Sequence, residues 1–192
     1  MGDAGSEPDA EPDAEDARLV AAWQGGDEAA FEALYARWSR PVWRFLAARA
    51  GRGAADELHQ ETWLAVIRGR DGYTDRARFP AWLFTLARNA AIDGQRRRAV
   101  RPDQDAGAAD VETLTYEEDA AAQVDGERRA RDLRAAVAAL PLAQRETVLL
   151  RWEAGLTLPE IAEHTGAPLD TVKSRLRYAL ARLREEVPAH GG

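Results

Sequence analysis

In DEAAFEALYARWSRPVWRFLAARA, residues 27–50, the apolar side chains Phe31, Leu34, Tyr35, Trp38, Val42, Phe45 and Leu46 recur at steps of three and four. That spacing lines them along one face of a helix. The same period runs through residues 17–100 and returns over 128–186, and no stretch alternates with a period of two for long enough to make a strand. The chain is therefore expected to be all-α. Asp27 suits an N-cap and Pro41 is expected to bend the helix it sits in. In AADELHQETWLAVIRG, Leu58, Thr62 and Val66, with Trp63 and Ile67, form an inward stripe. Gly69 to Arg78 reads as a loop, and Pro80 fits the first turn of the next helix.

Two acidic stretches divide this helical pattern. Residues 1–16 hold seven acids and no base, with no large apolar side chain beyond Met1. Such a segment cannot bury enough surface to offset its ordering entropy, so it reads as a disordered tail. Residues 102–127 hold nine acids and no base, punctuated by Pro102, Gly107 and Gly126, and read as a flexible linker. Two small helical domains are thus expected, 17–101 and 128–187, with a short tail at 188–192. The formal charge of −7 conceals their character, because residues 68–101 carry nine arginines against three aspartates. The field a partner meets is local, so an acidic total is compatible with nucleic-acid binding.

There is no cysteine for a disulfide, thiolate nucleophile or cysteine zinc site, and His59, His164 and His190 lie far apart. No nucleophile–base set argues for an enzyme, and no metal or cofactor is expected. No apolar run approaches the ~18 residues of a membrane span, and no basic-then-apolar leader is visible. These readings point to a soluble cytoplasmic protein.

Residues 158–184 have the outline of a helix-turn-helix. A short helix would bury Leu158, Ile161 and Ala162, Gly166 permits a tight turn, and Asp170 is expected to cap a longer helix starting at Thr171. Projected at about 100° per residue, Val172, Leu176, Ala179, Leu180 and Leu183 share one side. Thr171, Ser174, Arg175, Tyr178 and Arg182 lie opposite, flanked by Lys173, Arg177 and Arg184. Arginine can take guanine edges in bidentate fashion, so this face suits a major groove.

With DELHQETW, FPAWLFTLARNAAIDGQRRR and LPLAQRETVLLRWEAGLTLPEIAEHTGAPLDTVKSRLRYALARLR in that order, the chain resembles bacterial RNA polymerase sigma factors of the extracytoplasmic-function branch. The likeness covers residues 20–100 and 128–186. It implies an all-α pair of modules, region 2 and region 4, that binds core RNA polymerase and promoter DNA. DELHQETW is similar to the helix that docks on the clamp coiled coil of the largest subunit, which would give that contact to Asp56, Glu57, Leu58, Gln60, Glu61 and Trp63. The flap of the second subunit is a further implied partner.

The loop GRDGYTDRAR and the helix after it resemble the segment that captures the melted −10 element. Tyr73, Arg76, Arg78, Trp82, Thr85, Arg88, Asn89, Arg96, Arg97 and Arg98 would take part, as a cationic groove with platforms for unpaired bases. Phe79, Leu83, Leu86 and Ala90 share the face expected to be core, and Trp82 borders both faces. The −35 element would be read by Thr171, Lys173, Ser174, Arg175, Arg177, Tyr178 and Arg182. Tyr178 stands where the family often has arginine, so the −35 preference need not be the usual one. The acidic tail is a candidate for folding back on the arginine-rich surface, and an anti-sigma factor is a candidate partner. The rival readings are a free-standing helix-turn-helix regulator of duplex operators and a partner-titrating sigma mimic.

Overall fold

The structure, a computed structural model, describes residues 10–74, 78–100 and 124–186. Among these it contains eight α-helices, a short 3-10 helix at Arg70–Gly72 and no strand. The first bundle comprises α1 (Ala10–Gln24), α2 (Glu28–Ala50), α3 (Arg52–Gly69) and α4 (Phe79–Val100). The second comprises α5 (Val124–Ala139), α6 (Leu142–Trp152), α7 (Leu158–Thr165) and α8 (Leu169–Glu186). The all-α expectation holds.

Local chemistry sets the ends of α2. The Asp27 carboxylate accepts from the Ala29 and Ala30 amides at 3.0 and 3.3 Å, and the helix stops at Gly51, whose φ of 84° suits glycine. It runs unbroken through Pro41 and buries Leu34, Trp38, Val42, Phe45 and Leu46 against Leu58, Val66, Leu83 and Phe84. Helix α4 crosses α3 closely at Gly94, where a Cβ would lie 2.8 Å from Leu58 Cδ2.

In the second bundle α7 opens with a reciprocal cap. Thr157 accepts from the Glu160 amide, and the Glu160 carboxylate accepts from the Thr157 amide. The helix ends at Gly166 in the left-handed region, φ 67° and ψ 19°. Asp170 does not cap α8. That helix starts at Leu169, so Asp170 lies in its first turn, near the positive end of the dipole and 3.2 Å from Lys173 Nζ.

Three boundaries differ from expectation. The expected disordered tail is helical from Ala10 onward, and Asp16 is only 1% exposed. Asp16 accepts the Trp38 indole N–H at 3.1 Å and lies 3.3 Å from Arg37, which also meets Glu15 at 2.7 Å. Those partners are too distant in sequence for composition to reveal, and an acid counted as solvated is in fact buried. The expected linker ends earlier, because α5 begins at Val124. Third, the bundles are not separate: α2 packs on α6 and α4 on α7, and one apolar cluster includes Phe45, Phe84, Leu156 and Ile161. The remainder of the expected tail and linker, residues 1–9 and 102–123, together with Arg101 at the end of the expected first domain and residues 187–192, lie outside the described residues.

Candidate nucleic-acid interface

Helix α8 is anchored by fully buried Val172 and Ala179, with Leu176 and Leu183 against Leu140 and Val148. Its other side turns Thr171, Lys173, Arg177, Tyr178 and Arg182 to solvent, with Ser174 and Arg175 half-buried beside them. The Ser174 hydroxyl donates to the Asp170 carbonyl at 2.8 Å, and the Arg177 guanidinium lies 5.0 Å from the Tyr178 ring centre. Five of the seven residues expected to read duplex are therefore exposed and two half-buried, with a cation–π pair of Arg177 and Tyr178 among them.

The loop ahead of α4 is built differently from expectation. Tyr73 is buried, its ring 4.8 Å from Trp82 and 6.3 Å from Phe79. Trp82 is half-buried against the core and presses on the Gly69 backbone, where a Cβ would fall 2.9 Å from Cζ2. Trp82 thus supports the loop from beneath. The Gln24 side-chain amide ties down the same loop, donating to the Arg70 and Tyr73 carbonyls at 2.9 and 3.0 Å. Nothing in the sequence around Gln24, a polar residue before Gly25 and Gly26, signals this role.

The remaining residues expected to hold melted strand divide in two. Asn89, Arg96 and Arg97 are exposed and Arg98 half-buried, with Arg96 3.6 Å from Asp93 and Arg97 2.6 Å from Glu61. Arg78, Thr85 and Arg88 instead meet the second bundle. Arg78 donates to both Glu160 carboxylate oxygens and to the Gly155 carbonyl, each at 2.8 Å. Arg88 Nε donates to Glu146 at 3.2 Å, and Thr85 Oγ1 lies 3.2 Å from His164 Nδ1. Arg76 is outside the described residues.

On α3 two expected docking residues are core. Leu58 and Trp63 are 1% and 5% exposed. Leu58 lies under Gly94, while the Trp63 indole donates to His59 Nε2 at 3.0 Å and its ring packs 4.7 Å from that of Tyr35. Asp56 accepts from the Trp43 indole at 2.8 Å, and Glu61 holds Arg97. Glu57 and Gln60 face solvent. Beside them Leu64 and Ile67 are exposed, which the sequence reading missed by assigning Ile67 to the inward stripe.

Comparison with known proteins now discriminates among the readings. Residues 34–101 match the Sigma-70 region 2 family and residues 136–185 the Sigma-70 region 4 family. The chain is 35% identical over 172 residues to the ECF RNA polymerase sigma factor RpoE of Cereibacter sphaeroides, covering 84% of this chain and 88% of that protein. It is also 35% identical to the RNA polymerase sigma factor CarQ of Myxococcus xanthus, over 85% of this chain and 92% of the relative. The chain belongs to the extracytoplasmic-function sigma factors. The fold agrees with that of Bartonella quintana RpoE, solved with the anti-sigma factor NepR, at a TM-score of 0.66 and 24% identity over 84% of this chain and 98% of that one. As a sigma factor it binds core RNA polymerase and promoter DNA and directs promoter-specific initiation, without catalysis of its own. No helix among the described residues is long and apolar enough to cross a membrane.

In this sigma factor, regions 2 and 4 meet through charge. Glu146, 9% exposed, lies 2.8 Å from Arg49 and 3.2 Å from Arg88, and Arg44 reaches Glu153 at 3.1 Å. Burial would raise the Glu160 carboxyl, but hydrogen bonds from Arg78 and Thr157 outweigh it and hold the group below the ordinary glutamate value. Burial first, then the Arg88 and Arg49 cations, push His164 down to about 4, so its ring is neutral near pH 7. Arg145 completes the contact, donating to the Ala48 carbonyl in the last turn of α2 at 2.6 Å and to the Leu140 carbonyl at 3.0 Å.

Proposed function

We propose that this sigma factor works in the cytoplasm and divides its promoter contacts between α8 and α4. Helix α8 reads −35 duplex through Thr171, Lys173, Ser174, Arg175, Arg177, Tyr178 and Arg182. The melted −10 strand is taken by the loop on Tyr73 and Trp82 and by Arg76, Arg78, Thr85, Arg88, Asn89, Arg96, Arg97 and Arg98. Core polymerase is held by the outer strip of α3, where acids and Gln60 surround the apolar pair Leu64 and Ile67 in place of the buried Leu58 and Trp63. The single observation supporting this division is that α8 turns Thr171, Lys173, Arg177, Tyr178 and Arg182 to solvent on the side away from its buried Val172 and Ala179. An anti-sigma factor, such as the one bound to the Bartonella relative, is a further expected partner.

Transcription in vitro with core RNA polymerase on a promoter library, with start sites sequenced, tests the reading. We expect core-dependent starts that share a −35 and a −10 motif. Tight, dimeric binding to duplex without polymerase, and no starts, would favour an operator-binding regulator instead.

A further inference from the structure

Tyr178 is the only aromatic side chain of α8, it is 55% exposed, and its neighbour Arg177 holds it. The Arg177 guanidinium lies 5.0 Å from the ring centre and donates to the phenol oxygen at 3.4 Å. Arg177 also borders a groove lined by Leu158, Leu176 and Leu180, which gives its aliphatic stem an apolar bed. The two residues therefore present a preformed unit: an apolar ring, a hydroxyl and a cation fixed beside them. Tyr178 shares a side of the helix with Thr171 and Arg175, which precede it by seven and three residues. Seven residues at 1.5 Å each make about 10 Å, or about three base-pair steps, so Tyr178 meets a different base pair from the start of the helix.

The chemistry of this unit selects among bases. With its oxygen engaged by Arg177, the hydroxyl is left to donate. Hydroxyl and cation both favour a base edge that offers an acceptor and disfavour cytosine, whose major-groove edge offers a donor. Guanine, thymine and adenine N7 meet that condition. The ring adds a second one, because an apolar surface in the major groove gains by covering the C5 methyl that thymine alone carries. Thymine is the base that sets an acceptor, O4, beside a methyl. We propose that the Arg177–Tyr178 pair makes this sigma factor select thymine at one position of the −35 element. The Tyr178 ring covers the methyl and its hydroxyl donates to O4, with Arg177 as the positioning residue. This rests on the assignment of α8 to −35 duplex. An arginine at position 178 would take guanine in bidentate fashion, so the tyrosine changes which base is read there.

The test uses holoenzyme reconstituted with core RNA polymerase and −35 duplex from a promoter that it transcribes. Single-base variants of the element locate the position whose preference Tyr178→Ala removes. At that position thymine, uracil, cytosine and 5-methylcytosine remove the methyl and the C4 oxygen separately, the first two paired with adenine and the others with guanine. We expect thymine to bind about threefold or more over uracil and about tenfold or more over 5-methylcytosine. Tyr178→Phe should keep the preference for the methyl and reduce that for the C4 oxygen. Arg177→Met keeps an aliphatic stem and should also reduce the oxygen preference, whereas mere loss of a phosphate contact would weaken all four duplexes alike. Tyr178→Arg should move the preference to guanine. Equal binding of thymine and uracil, or a Tyr178-dependent preference for another base, overturns the proposal. So does a −35 preference that Arg175→Ala alters and Tyr178→Ala leaves intact. A −35 preference that neither variant alters, or no preference at all, defeats the assignment of α8 instead.

Discussion

Gln24 shows how much one side chain can set. Its amide holds two carbonyls of the loop that carries Tyr73, at a cost to the chain of ordering only one exposed residue. Replacing it with alanine removes two hydrogen bonds worth about 1 kcal/mol each. We expect Gln24→Ala holoenzyme to form shorter-lived open complexes while −35 duplex binding is unchanged, measured by heparin-challenged lifetimes. On α8, Arg175→Ala should cost about 1–3 kcal/mol on the cognate −35 site and relax specificity at one base. Arg97→Ala should instead weaken binding evenly and flatten its salt dependence. Intact −35 discrimination in Arg175→Ala holoenzyme would remove that residue from the reading set. The outward placement of the α8 residues was legible in advance because a helix with one apolar side has only one other side to offer. Gln24 was not, since its partners are backbone carbonyls 46 and 49 residues away.

Among the elements, α3 and α7 carry the sharpest expectations. Aspartate at Leu64 or Ile67 should lower affinity for core polymerase at least tenfold without moving the melting temperature, because both side chains already face water. Aspartate at Leu58 should unfold region 2. Binding to immobilised core enzyme, run beside thermal melts, separates the two effects. The periodicity of α3 indicated a helix correctly, yet Trp63 and Ile67 sit only four residues apart and their faces diverge. Trp63 turns in toward Tyr35 and His59, and the stripe rotates away from Ile67. Helix α7 brings His164 against Thr85 and Phe45, near Arg88 of α4 and Arg49 of α2, both of which are paired to the Glu146 carboxylate of α6. Packed there it is pushed down to about 4 by burial and then by the two cations, and with α7 lifted off it should return toward its ordinary value near 6.5. Between those values the separated regions bind a proton that the packed ones do not. The packing of α7 on region 2 is therefore strongest above about pH 6.5 and weakens by up to about tenfold per pH unit down to about 4. Energy transfer between dyes on Arg40→Cys of α2 and Glu163→Cys of α7, both exposed, should show this slope against pH, and His164→Gln should flatten it.

For the whole molecule, the amino-acid pattern disclosed two helical units and concealed that the units share a core. Charge segregation suggested separate tasks. However, the apolar face of α4 was counted once, through Phe79, Leu83, Leu86 and Ala90, whereas Phe84 and Ala87 are also fully buried. Arginines such as Arg78 and Arg88 looked ready for phosphate because their acidic partners lie 82 and 58 residues further on. The guanidinium of Arg145 has a consequence for how the molecule comes apart. Through the Ala48 carbonyl it finishes a helix end that belongs to the other region. Melting region 4 uncaps α2, and the loss passes directly into region 2. Heat should then remove both regions in one cooperative step, with equal calorimetric and van't Hoff enthalpies, whereas Arg145→Ala should split the endotherm into two peaks.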